Sequence, residues 1–363
     1  MLNLVSRWIG NKPGPSMLKT TTVLDGLNPD SRKAVLEMTR GLTGQRRDSA
    51  HRVLAEFGDQ GVSKFQDFGL RFSEKKLARY DTTAAFYTDG SRKLTFNKRL
   101  DWEEWAGDDT VRHELFHVMD HMEGKARNPG SLSSRMDTLA LSGLTAHDGE
   151  VQDLYRQYRA RGAVQYAMEY RDQGVTPDDG NVFNRKEATS ITQRGKSYVV
   201  DTDPNWFSRQ HGTASALIGA LGVGLMAVGG IAAPVLGAAT LGLGVFVGRK
   251  AMKEAVNRFV KEPVVRTVTD LDGREATVEC RGDRFVVTPD PAMERRFQVW
   301  SNYAMSTNET AEYFAEAGAY VVGGGPFREA VKLSDPAMAS YVTKRWESFT
   351  GLPLPQGADS AGS

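Results

Sequence analysis

Residues 110–124 read TVRHELFHVMDHMEG, in which residues 113–117 form an HExxH motif. Residues four apart lie on one face of an α-helix, so His113 and His117 can bind one metal ion from adjacent turns. Glu114 lies about 100° around that helix and can take a proton from a metal-bound water. The stretch therefore predicts a helix that carries two metal ligands and a general base.

A catalytic zinc ion needs a third protein ligand, and the next histidine cannot supply it. His121 extends the series, but it lies about 12 Å along the helix from His113, too far for one ion to join them. We therefore expect His121 at the surface or beside the ligands. The remaining histidines are isolated along the chain and are expected at the surface: His51, His147 and His211.

Residues 307–320, TNETAEYFAEAGAY, offer a carboxylate from a second predicted helix. Glu312 and Glu316 are four residues apart, and Tyr313 and Phe314 can bury the opposite face. One carboxylate could then bind the metal while the other accepts a hydrogen bond from a ligand histidine. An ordinary amphipathic helix with acidic residues facing water has the same pattern, so the spacing alone leaves both interpretations open.

The two motifs together, HELFHVMDHMEG and TNETAEYFAEA, resemble the catalytic domain of gluzincin toxins of the anthrax lethal factor type. The resemblance covers residues 80–125 and 300–322. It implies a zincin-like fold and one Zn²⁺ ion, with His113, His117 and Glu312 as its ligands.

The same resemblance implies further roles around the metal. Glu114 would be the general base, with Asp120 and Glu316 as supporting residues. Tyr303 would stabilise the tetrahedral intermediate. The predicted hairpin AAFYTDGSRKLTFN, at 84–97, lies where such domains place an edge strand that aligns the substrate.

A long insertion separates the two motifs. Glu312 follows His117 by 195 residues, whereas the family places its third ligand a few tens of residues after the HExxH. Within the insertion, residues 214–248 carry no charge, and Gly229-Gly230 and Pro234 divide them into two arms. Because both motifs must meet at one ion, the segment crosses a membrane an even number of times or not at all. A membrane-inserting helical hairpin and a buried helical pair in a soluble core both satisfy this condition.

The sequence therefore predicts an α+β fold. A mostly helical zincin-like catalytic domain with a small antiparallel sheet is interrupted by an insertion that contains the apolar hairpin and a β-meander at 263–289. The predicted parts are an N-terminal helical region (1–80), the first half of the peptidase domain (81–172), the insertion (173–298), the second half (299–352) and a disordered tail (353–363).

Local patterns predict individual elements. Apolar residues at helical spacing indicate several short helices between positions 30 and 76. Gly124 is expected to end the HExxH helix. A strand is expected at SYVV, residues 197–200, and helices are expected at 308–322 and 335–349.

Composition limits the partners. With a formal net charge of +1 and no recognisable binding motif, we expect no nucleic acid partner, only a protein or peptide substrate. The single cysteine, Cys280, excludes a cysteine-based zinc site. The N-terminal residues hold no apolar run long enough for a secretory signal. We therefore expect export by a specialised secretion system into a target cell, with membrane association through 214–248 where that segment inserts.

The expected function is that of a zinc metalloendopeptidase, secreted or injected as a bacterial effector or toxin. HtpX-like and CAAX-processing membrane proteases are one alternative, since they also place apolar helices between the HExxH and a glutamate helix. Their helix ends in Asp where this chain has Glu316. A non-enzymatic membrane-inserting protein with a degenerate zincin fold is the second alternative.

Overall fold

The computed structural model describes most of the chain outside the insertion. Several predictions lie outside the described residues: the apolar hairpin at 214–248, His211, Tyr303, and the tail from residue 356 onward. The described residues are 23–78, 83–102, 107–127, 143–173, 190–201, 263–270, 272–281, 284–293, 300–301, 304 and 310–355.

Helices dominate the described part. They are α1 (Pro29–Met38), α2 (Gly44–Glu56), α3 (Gly58–Phe68), α4 (Asp108–Arg127), α5 (Gly149–Gln173), α6 (Thr310–Gly323), α7 (Gly325–Ser334) and α8 (Pro336–Thr350). The predictions of short helices near the N-terminus, of the HExxH helix, and of helices near 308–322 and 335–349 are confirmed. Residues 71–75, expected to be helical, instead form a strand.

The HExxH helix runs further than expected. Asp108 and Asp109 lie in its first turn, where acidic side chains stabilise the helix dipole, and Lys125 and Arg127 lie in its last turn. Gly124 does not end the helix but is buried within it. An interior glycine costs a helix about 1 kcal/mol, which the packing around this long buried helix outweighs.

Three strands form a small sheet beside α4. They are β1 (Arg71–Lys75), β2 (Ala85–Thr88) and β3 (Lys93–Asn97), in the order β1-β3-β2. The predicted hairpin of β2 and β3 is confirmed, but the sheet is mixed rather than antiparallel because β1 runs parallel to β3. The sheet thus joins a strand of the expected N-terminal region (1–80) to two strands of the next predicted part (81–172), and β2 lies at one edge.

Five antiparallel strands form a second sheet. They are β4 (Ser190–Arg194), β5 (Ser197–Asp201), β6 (Val264–Thr269), β7 (Glu275–Arg281) and β8 (Arg284–Pro289), in the order β4-β5-β8-β7-β6. The strand at 197–200 and the β-meander are both confirmed. The sequence pattern does not predict that this strand and the meander join in one sheet. The sheet packs against α5.

Helix α4 packs against α6, and a glycine permits their close approach. A Cβ atom at Gly318 would overlap the ring of Phe116, which is fully buried. That ring also packs against Phe57, Phe314 and Trp346, so it has little room to move. The contact brings the acidic residues of α6 against the histidines of α4.

We expect Gly318→Ala to lower the free energy of unfolding by about 1–3 kcal/mol, because overlap with a packed ring exceeds the gain in helix propensity. Chemical denaturation measures this change. Gly149→Ala is the matched control, because a Cβ there meets nothing within 4 Å, and it should leave stability unchanged or slightly raised. Equal effects of the two substitutions would contradict the packing argument.

None of the helices in the described part of the chain has the length and apolar character needed to cross a membrane.

Candidate metal centre

Two histidines of α4 and one glutamate of α6 converge where the helices cross. The Nε2 atoms of His113 and His117 lie 3.1 Å apart. The Oε2 atom of Glu312 lies 3.2 Å from the first of them and 3.4 Å from the second. Among the described residues, these three form a group whose donor atoms are close enough together to hold a metal ion.

The spacing of the donors fits a tetrahedral ion. Nitrogen and oxygen ligands bind zinc at about 2.0–2.1 Å, so two donors of a tetrahedral site lie about 3.3 Å apart. The three separations of 3.1, 3.2 and 3.4 Å match that value. Two imidazoles and one carboxylate are also a ligand set typical of catalytic zinc, which leaves one position for water.

A second carboxylate orients the first histidine. Oε2 of Glu316 lies 3.1 Å from Nδ1 of His113. When that nitrogen carries the proton and donates it to Glu316, the lone pair of Nε2 points at the other two donors. Glu316 thus lies where the sequence placed a supporting residue.

Glu316 is itself held by Ser301, which sequence reasoning missed. The Ser301 hydroxyl donates to Oε1 of Glu316 at 3.1 Å. Tyr158 of α5 fixes the backbone of Ser301, since its hydroxyl donates to the carbonyl oxygen at 2.6 Å and accepts from the N–H at 3.0 Å. A serine in a loop gives no local signal of such a role. Its position depends on the contact with Tyr158, which lies 143 residues earlier in the chain.

The charges at the centre stabilise one another. Burial lowers the pKa of His113, but its hydrogen bonds with Glu312 and Glu316 outweigh burial and hold the pKa well above its usual value. Burial raises the pKa of the Glu312 carboxyl, but the charge of His117 and hydrogen bonds from both histidines hold it far below its usual range. The centre therefore favours an ionised carboxylate facing cations.

These shifts predict how metal binding depends on pH. The pKa values of His113 and His117 are raised above 6.5, so the imidazoles keep their protons to a higher pH than usual. Because a metal ion binds neutral imidazole, it must displace these protons. We expect zinc affinity to fall as pH is lowered from 8 to 6, by up to about tenfold per pH unit for each displaced proton. Competition with a chromophoric chelator measures this change. An affinity independent of pH would contradict histidine ligation.

Glu114 lies beside the donors and is 7% exposed. Burial raises the pKa of its carboxyl, while the charges of His113 and His117 oppose that rise. The backbone N–H of Tyr87 in β2 donates a hydrogen bond to the carboxylate. A carboxylate in this setting can accept a proton near neutral pH more readily than an exposed one.

Asp120 anchors a neighbouring turn rather than facing the donors directly. Its Oδ1 accepts the backbone N–H of Thr145 at 2.7 Å, and its Oδ2 accepts the Thr145 hydroxyl at 2.9 Å. Burial raises the pKa of Asp120 to about 6, against the effect of the two hydrogen bonds. Asp120 thereby fixes the 3₁₀ turn Leu144–Ala146 against α4.

The other histidines partly depart from expectation. His121 is fully buried, and its Nδ1 lies 2.9 Å from the Tyr87 hydroxyl, so a surface position is wrong. His51 is also buried, and its Nε2 lies 2.9 Å from the hydroxyl of Thr39, the residue that follows α1. His147 is exposed, as predicted. His211 lies outside the described residues, as does Tyr303, although Ser301 two positions earlier is buried beside Glu316.

The chain matches no protein-family model, no curated protein and no solved structure.

Proposed function

We propose that the protein is a zinc-dependent metalloendopeptidase. The observation that carries the proposal is the convergence of His113, His117 and Glu312 at tetrahedral spacing, with the Glu114 carboxylate buried beside them. Peptide hydrolysis needs an activated water and a group that moves its proton. Here three residues can hold the metal ion that would activate the water, and Glu114 can move the proton.

When bound, zinc polarises the scissile carbonyl and lowers the pKa of a water molecule towards neutrality. His113, His117 and Glu312 would hold the ion, and Glu316 fixes the orientation of the His113 ring. Glu114 takes the proton of the attacking water and gives it to the leaving amine. Tyr303, close in sequence to the anchored Ser301, is proposed to donate to the developing oxyanion.

The edge strand supports an extended peptide as substrate. The Asn97 N–H donates to the Ala84 oxygen, so the alternation of an antiparallel pair makes Ala85 and Tyr87 non-hydrogen-bonded positions. The N–H of Ala85 and the C=O groups of both residues therefore point away from β3, towards the outer edge beside α4, while the Tyr87 N–H donates to Glu114. Such an edge can pair with one more strand, which favours a protein or peptide over a small molecule.

A secreted or injected effector or toxin role, and membrane association through residues 214–248, remain proposals carried by the motif resemblance and the uncharged segment. The substrate class is tested by incubating the zinc-loaded chain with a protein mixture and sequencing the new N-termini. New termini that share a preferred sequence on either side of the cut would support an endopeptidase. Termini identical to those of a zinc-depleted sample would contradict it.

A further inference from the structure

His121 lies on the helix that carries the ligands, but it has a different task. Its side chain is fully buried, and Nδ1 lies 2.9 Å from the Tyr87 hydroxyl. Its ring also meets the rings of Phe68 and Tyr87 edge-on, with centroids 5.4 and 5.9 Å away. A buried polar contact of this kind fixes the separation of two elements, here α4 and the edge strand β2.

Tyr87 makes a second contact with α4 through its backbone. Because Tyr87 is opposite Leu94 in a non-hydrogen-bonded pair, its N–H is not used within the sheet and points to the outer edge. There it donates to the Glu114 carboxylate. One strand residue therefore contacts both Glu114 and His121.

The two contacts lie on one side of the helix. Glu114 and His121 are seven residues apart, about two turns or roughly 10 Å of helix. Tyr87 reaches both residues because its side chain extends away from the strand backbone, and the side chains of Glu114 and His121 extend from the helix to meet it. Any shift of β2 along or away from α4 would change both contacts together.

We propose that His121 is a positioning residue for the general base, acting through Tyr87. The bond between the Tyr87 hydroxyl and His121 sets the position of β2, and that position keeps the Tyr87 N–H on the Glu114 carboxylate. This inference rests on the proposed function, in which Glu114 moves the proton. It explains why a third histidine follows the motif without being a ligand.

Three substitutions separate positioning from simple packing. Tyr87→Phe removes only the hydroxyl and leaves the ring and backbone in place. His121→Leu fills a similar volume without a hydrogen-bonding group, whereas His121→Asn keeps a polar atom near the position of Nδ1. A packing role alone would favour leucine over asparagine, and a positioning role would favour asparagine.

The activity measurement uses the zinc-loaded full chain with a peptide that the wild type cleaves. Tyr87→Phe and His121→Leu should each lower kcat about tenfold, since small displacements of a catalytic group have large effects. KM should stay within about twofold and zinc content at one ion per chain. The double variant should lose no more than either single one, and His121→Asn should recover most of the rate.

The second measurement is hydrogen exchange at the Tyr87 amide, which does not depend on activity. The wild type should protect this edge-strand N–H, and His121→Leu, Tyr87→Phe and Glu114→Ala should each speed its exchange about tenfold or more. Unchanged exchange in His121→Leu, or additive losses of kcat, would overturn the proposal. A wild type that binds zinc but cleaves no peptide would contradict the endopeptidase function, and the exchange data would still decide the role of His121.

Discussion

Glu114→Gln should abolish most peptide cleavage, with kcat lowered by about 10²–10⁴-fold. Glutamine has nearly the same shape and can still accept the Tyr87 N–H, so the fold should be retained. It cannot take a proton from water at neutral pH, so the proton-transfer step fails. Single-turnover cleavage of a fluorogenic peptide measures the loss directly.

Zinc content must be measured on the same preparation, because we expect one ion per chain in both the wild type and Glu114→Gln. Glu329→Gln is a matched control. Glu329 lies on the surface of α7, paired with Lys332, and its loss should leave the rate unchanged. Wild-type activity in Glu114→Gln would contradict the role of Glu114 as the base, whatever the metal content.

Replacing a proposed metal ligand should greatly lower the affinity of the protein for zinc. Glu312→Gln and His117→Ala should each reduce zinc affinity by several orders of magnitude, because a catalytic zinc ion with two protein ligands is poorly held. Activity should disappear with the metal. Elemental analysis after dialysis against a weak chelator, together with competitive titration, measures the change.

The Glu312→Gln variant also tests the electrostatic contacts of the two histidines in zinc-free protein. Glu312 carries a charge that offsets its neighbouring histidines, so Glu312→Gln should lower the pKa of His113 and His117. Titration of the imidazole signals by nuclear magnetic resonance in zinc-free protein would show that shift. Retention of one tightly bound zinc ion in Glu312→Gln would show that the third ligand is another residue.

Local spacing explains why much of the site could be predicted. His113 and His117, like Glu312 and Glu316, are four residues apart on helices, and a helix puts such residues on one face whatever surrounds it. The hairpin at 84–97 and the β-meander have the same local character, with tight turns between short strands. These features depend on neighbours in the sequence.

Contacts between distant residues explain what the sequence did not reveal. β1 pairs in parallel with β3 across 22 residues, and no turn signal announces such a pairing. Gly124 would end an isolated helix, but the burial of α4 keeps it helical. The sequence predicts His121 at the surface or beside the ligands, whereas its burial depends on Tyr87 and Phe68 from other elements.

The most direct test of the metal centre is a crystal structure of zinc-loaded protein with anomalous data on both sides of the zinc absorption edge. We expect one anomalous peak within about 2.2 Å of Nε2 of His113, Nε2 of His117 and a carboxylate oxygen of Glu312. A peak at other residues, or none at full zinc loading, would contradict this expectation.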